Sequence, residues 1–189
     1  MRAMKIPSLP QGTIGFLISN FTLVVKIAIT GIPGIGKTTL CLKVYNALRN
    51  KVKICGFITR EERIGERRVG FRLIDLSTNF EAKLARVGRG RVMVGKYEVL
   101  IEEFESFLEN VDLNGDLVII DEVGPMELKS SKFVSIVQDL IKRENVLFTV
   151  HYKANHWLAE RIRKEFRLYE IDEKNRDRIA EEIVKLYDP

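Results

Sequence analysis

Cysteine, proline, histidine and tryptophan are all scarce in this chain of 189 residues, which has two, five, two and one of them. Cys41 and Cys55 cannot make a disulfide framework, and no metal-ligand spacing is present. Cys41 falls on the apolar face of an expected helix and Cys55 in an apolar strand. Both read as buried free thiols, which suits a reducing cytoplasm. No apolar run is long enough to span a bilayer as a helix. The most apolar stretch, 13–25, is too short and is interrupted by Asn20, so no membrane is expected. Internal repeats and low-complexity tracts are also missing.

The composition is that of a globular chain, with 46% apolar and 30% charged residues. Its length suits one domain with a sizeable core. The net charge of +5 fits a binder of polyanionic nucleotides. No DNA- or RNA-binding signature appears, so nucleic acid is not indicated as a partner. Residues 1–23 begin with a basic segment and then turn apolar, loosely like a signal peptide, but without a small-residue cleavage site. They are expected to be a dispensable N-terminal extension. The alternative is a membrane or partner anchor. Residues 24–189 then form the single domain, expected as a monomer with an oligomer left open.

One stretch organises that domain. Gly31-Ile32-Pro33-Gly34-Ile35-Gly36-Lys37-Thr38-Thr39 fits G-x-x-x-x-G-K-[ST], the loop that cradles phosphate. It follows an apolar strand, 24–30, and opens a helix, 38–49. Glycines let backbone N–H groups converge on an anion, and the helix N-terminus adds unpaired donors and a positive dipole end. Lys37 reaches the β- and γ-phosphates in such loops, and the Thr38 hydroxyl binds Mg²⁺.

A second motif lies at 117–122. Leu117 to Ile120 reads as a buried central strand, and Asp121 and Glu122 follow at its C-terminal end, where ligands sit in parallel α/β sheets. Asp121 is expected to hold Mg²⁺ and Glu122 to act as general base on water. Glu127 either positions metal or water or places negative charge in a helix's first turn, and the structural role is favoured. Thr149, at the end of a buried strand 146–150, is a candidate γ-phosphate sensor, and His151 a weaker one.

Between the two motifs, 53–59, 69–75 and 81–87 read as strands. A charged turn is expected at 60–68 and antiparallel hairpins over about 53–87. The arginines beside that turn either keep it soluble or reach a phosphate. A helical stripe from Tyr97 through Phe104 and Phe107 to Val111 reads as core. Helices are expected at 131–143, at 155–164 with Trp157 inward, and from 175 onward, with a strand at 166–171. Strands alternating with helices give an α/β fold with a mostly parallel sheet flanked by helices, carrying an inserted hairpin lobe.

Several residues resemble one family closely. Gly56-Phe57, Thr59, Glu61, Arg63, Gly65, Arg67-Arg68 and Gly70-Phe71 match its G-F-x-T-x-E-x-R-x-G-x-R-R-x-G-F block. Val94-Gly95, Tyr97 and Val99 match V-G-x-Y-x-V. Asp121 to Leu128 matches D-E-[IV]-G-x-M-E-L, and Asn175-Arg176 the N-R near the end. From about Val25 to its C-terminus the chain resembles the THEP-type, or cancer-related, nucleoside-triphosphatases. The resemblance implies a RecA-like core and slow Mg²⁺-dependent hydrolysis of nucleoside triphosphates with broad base tolerance. It implies base or ribose contacts for Asn175 and Arg176, with a helix cap by Asn175 as the alternative. One of Arg63, Arg67 and Arg68 is expected as an arginine finger in cis. Two other readings stand beside hydrolysis: a kinase acting on a nucleotide or polynucleotide, and a nucleotide-switched binding module.

Overall fold

The computed structural model describes residues 26–187. The expected extension, 1–23, lies outside the described residues, as do Val24 and Val25 of the expected first strand. The elements are β1 (Lys26–Thr30), α1 (Lys37–Leu48), β2 (Ile54–Ile64), β3 (Arg67–Asp75), β4 (Glu81–Val87), β5 (Met93–Val94), β6 (Tyr97–Val99), α2 (Ile101–Asn110), β7 (Leu117–Val123), α3 (Ser131–Leu140), β8 (Val146–Val150), α4 (Trp157–Glu165), β9 (Arg167–Glu170) and α5 (Arg176–Tyr187).

The strands among the described residues join one nine-stranded sheet in the order β5-β6-β4-β3-β2-β7-β8-β1-β9. From β2 to β9 the neighbours run parallel. From β2 to β5 they run antiparallel. The sheet is therefore mixed, where a mostly parallel one is expected, because the hairpin block does not stand apart but continues the same sheet beyond β2 with antiparallel pairs. Parallel strands need both faces covered. One face packs on α2, α3 and α4 through Phe57, Phe104, Phe107, Phe133 and Phe148. The other packs on α1 and α5 through Leu40, Val44, Ile179 and Ile183. Phe57 meets the rings of Phe104 and Phe107 edge to face at 6.5 and 5.5 Å, a favoured aromatic geometry. Among the described residues no helix is long and apolar enough to cross a membrane.

Gly56 sits where β2 passes β7. Its φ is +101°, and a Cβ there would overlap the Ile119 carbonyl oxygen and stand 2.9 Å from its carbon. Only glycine allows that approach and that backbone together.

Three further expectations change. The charged segment 60–68 is mostly strand: β2 runs to Ile64, β3 starts at Arg67, and only Gly65 and Glu66 turn. Gly65 takes φ +57°, the glycine-first arrangement of a two-residue hairpin loop. The charges pair across the hairpin, which suits a half-exposed strand better than a coil. The helix expected from Tyr97 starts at Ile101, because Tyr97 to Val99 pair with β4. Trp157, expected inward, opens α4 and is 48% exposed, while Leu158, Ala159 and Ile162 carry the buried face.

Candidate active site

The C-terminal ends of β1, β8, β7 and β2 lie side by side, and the functional side chains gather there. The loop after β1 enters α1 through Gly36, whose φ is +101°. No side chain caps α1, and no acidic residue occupies its first turn. Its first N–H donors are therefore left for an anion. Lys37 is buried and folds back, donating from Nζ to the Gly31 oxygen at 3.1 Å and the Ile32 oxygen at 3.5 Å. Pro33, Gly34, Gly36, Lys37, Thr38 and Thr39 line a cleft of about 710 Å³. Gly31, Ile32 and Ile35 of the loop do not line it.

Asp121 is fully buried at the end of β7 and is held from helix α1 and from strands β2 and β8. Thr38 donates its hydroxyl to Oδ2 at 2.6 Å, and Thr149 donates to Oδ1 at 2.7 Å. The Thr59 N–H reaches Oδ2 at 3.3 Å, and the Thr59 hydroxyl reaches the Asp121 carbonyl at 3.2 Å. Burial pushes the Asp121 carboxyl up, and these hydrogen bonds oppose it. Glu122 follows with φ +78°, an uncommon conformation for a side-chain-bearing residue. Its N–H donates to the Thr149 hydroxyl at 2.7 Å, and its carboxyl faces the cleft. Burial, then the Asp121 charge, push the Glu122 carboxyl up to about 7, with Lys37 pulling it back. Thr149 therefore serves both acidic residues with one hydroxyl.

Thr149→Val removes that hydroxyl at constant shape. It leaves a buried carboxylate oxygen and a backbone N–H unpaired, at about 1–3 kcal/mol each. We expect a loss of roughly 2–4 kcal/mol in urea unfolding, recovered by Thr149→Ser.

Glu127 carries more than the first-turn charge expected of it. It lies fully buried in a short 3-10 helix, Glu127–Lys129, and also lines the cleft. A Cβ on Gly124 would stand 3.0 Å from both Glu122 Oε1 and Glu127 Oε2, so the two carboxyls flank that glycine. Burial, then the Glu122 charge, hold the Glu127 carboxyl well above its ordinary range. The spacing of Glu127 after Asp121 was visible in the sequence, but its burial was not.

These raised carboxyls fix a pH dependence of stability. The folded chain retains a proton on Glu122 from about pH 4.5 to 7, where the unfolded chain has released it. Stability of the nucleotide-free, chelator-treated protein should therefore fall as pH rises through that window. The slope is up to about 1.4 kcal/mol per pH unit for one proton. Urea midpoints from pH 4.5 to 7.5 measure it, and Glu122→Gln should flatten the decline.

The three candidate arginines divide. Arg63 and Arg68 are cross-strand partners and both line the cleft. Arg63 donates from Nε and Nη2 to Glu61 Oε2 at 3.0 and 2.8 Å. Arg68 pairs with the other oxygen of Glu61 and lies over the Phe71 ring at 5.5 Å. Its Nε is buried without a hydrogen-bond partner. Arg67 pairs with Ile64 in the ladder, is exposed, and does not line the cleft, because strand alternation turns it to the opposite face from Arg68.

Asn175 and Arg176 also stand outside the cleft lining. Asn175 staples a turn: its Oδ1 accepts the Asp172 N–H at 2.8 Å, and its Nδ2 donates to the Glu170 oxygen at 3.1 Å. Arg176 braces the phosphate loop from behind, with Nη1 donating to the Ile35 oxygen at 2.9 Å. Its guanidinium fills the space where a side chain on Gly36 would go. Asn175 thus holds the 170–175 turn, and Arg176 holds the phosphate loop.

Hard-oxygen donors fit a divalent cation here, with Thr38 Oγ1 and an Asp121 oxygen converged at the mouth of the loop. Among the described residues no group of three or more His, Cys, Asp or Glu is arranged to hold a metal.

A parallel-stranded core with a phosphate loop after β1 and an acidic pair ending β7 defines a P-loop nucleotide-binding protein. The chain belongs to the THEP1-type nucleoside-triphosphatase family, since a family model described as NTPase matches residues 26–184. It is 58% identical over 161 residues to nucleoside-triphosphatase THEP1 of Archaeoglobus fulgidus, covering 85% of this chain and 98% of that one. The THEP1 of Methanocaldococcus jannaschii is 42% identical, over 84% of this chain and 95% of its own. The crystal structure of THEP1 from the hyperthermophile Aquifex aeolicus matches with a TM-score of 0.73 and 31% identity, over 87% of this chain and all of that one. The solution structure of a human cancer-related nucleoside triphosphatase matches at 0.68 and 32%, over 85% and 96%.

Proposed function

We propose that this protein hydrolyses nucleoside 5'-triphosphates to the diphosphate and phosphate, with Mg²⁺ and broad tolerance of the base. The observation that carries the reading is Glu122. It is turned into the cleft by a left-handed backbone, next to an Asp121 already bonded to the loop threonine. The names of the relatives support the same reaction. The domain is read as residues 24–189, a RecA-like core with the hairpin strands as an insertion.

In this mechanism the loop amides and Lys37 bind the phosphates and stabilise charge on the transferring group. Glu122 accepts a proton from the water whose oxygen bonds to the γ-phosphorus, while the bond from that phosphorus to the β–γ bridging oxygen breaks. Arg68 and Arg63 face the charge that develops there. Thr38 and Asp121 are the residues that would hold Mg²⁺, which when bound neutralises the β- and γ-oxygens. Base tolerance follows from a cleft that grips phosphate through backbone and cations.

The test is incubation with γ-labelled ATP and GTP and Mg²⁺. Free labelled phosphate and diphosphate in equal amounts are expected. Label on an added nucleotide or polynucleotide instead would move the reading to a kinase.

A further inference from the structure

We infer that His151 is the residue by which this site distinguishes a triphosphate from a diphosphate, its Nε2–H donating to an oxygen of the terminal phosphoryl group. The inference rests on the proposed triphosphate site and adds a specificity-determining residue to it. In the sheet β8 lies between β1, which carries the phosphate loop, and β7, which carries Asp121 and Glu122. His151 is the first residue beyond β8 and lines the cleft with Lys37 and Glu122. A terminal phosphoryl group reached by Lys37 and facing Glu122 has this strand end beneath it.

The ring is also prepared for one task. Its Nδ1 accepts the Lys153 N–H at 3.1 Å. An accepting Nδ1 leaves the proton on Nε2, so the neutral ring presents a single donor on its far side. Burial, then the charges of Lys37, Arg163 and Lys153, keep His151 below its ordinary pKa and so neutral near pH 7. The backbone beneath it is clamped. Its N–H donates to the Val123 oxygen at 3.1 Å, and its own oxygen accepts from the Ala154 N–H at 3.0 Å and from Arg163 Nη2 at 2.9 Å. Arg163 Nη1 further donates to the Ala154 oxygen at 3.1 Å. A surface histidine serving only solubility has no need of this anchoring. A donor that must meet one oxygen does, because position governs such contacts. The α- and β-phosphates fall to the loop amides, so a diphosphate engages the loop without reaching this donor.

The test measures binding by titration calorimetry with Mg²⁺ present, using a non-hydrolysable ATP analogue and ADP, on the whole chain and on His151→Ala, His151→Phe and His151→Gln. The Ala and Phe variants should bind the triphosphate roughly tenfold to a hundredfold more weakly, the range of a hydrogen bond to a charged group. Their ADP affinity should stay within about twofold, and Gln should recover part of the loss through its amide donor. Equal weakening for both nucleotides, or no weakening for either, overturns the inference. Should Ala and Phe fail to fold, Gln against wild type at both nucleotides decides, and a Gln variant that weakens ADP as much as the triphosphate sinks it. Failure of the underlying reading is distinct, since wild type would then bind no triphosphate at all.

Discussion

Glu122→Gln should retain nucleotide binding and lose turnover by roughly a hundredfold or more, the scale of a removed general base. The amide keeps the size of the carboxyl and, with the backbone N–H still bonded to Thr149, the left-handed turn that aims it. It removes the acceptor for water's proton. It also removes one negative charge from a cluster in which Asp121 and Glu127 are both pushed up by burial, so the fold should gain stability near neutral pH. Phosphate release at saturating substrate, measured beside triphosphate binding, separates the two effects. Full turnover in the Gln variant would remove Glu122 from the mechanism, whereas lost binding would make it a structural residue.

Gly56→Ala should be the most damaging single methyl in the chain. Its backbone stands at φ +101° against the Ile119 carbonyl, with its N–H donated to the Asp112 oxygen and its oxygen accepting the Leu76 N–H. The added carbon cannot fit without parting β2 from β7, the pair that joins the parallel and antiparallel halves of the sheet. We expect more than about 4 kcal/mol of destabilisation, in the range reserved for backbone clashes in a core, and accumulation of insoluble chain on expression. A variant that melts within a few degrees of wild type would show that the strands can shift.

Part of this architecture is legible in the sequence. The phosphate loop and the Asp121–Glu122 pair are local patterns, because their chemistry requires particular types at fixed spacing. The strand ends at 81–87 and 146–150 followed apolar patterning and turn residues. Contacts between distant segments were not legible. Thr59 and Thr149 both bond Asp121, and no spacing along the chain announces that three strands meet there. The hairpin at Gly65 was obscured because its strands are charged and half exposed. Arg176 carried a signal as part of a motif, yet the sequence could not say that it faces the back of the loop. Glu127 resembles any acidic residue at a helix start until its burial is known.

Among the described strands, the one that carries the phosphate loop comes first in the chain and its two partners come last. β1 pairs only with β8, at 146–150, and β9, at 167–170. On a ribosome the loop would emerge before either partner of its strand, and Arg176 would reach it only after β9. A firm phosphate loop is then expected only once β8, β9 and Arg176 have followed it, so a chain stopped short of β9 would carry the whole phosphate motif on a strand with one edge open.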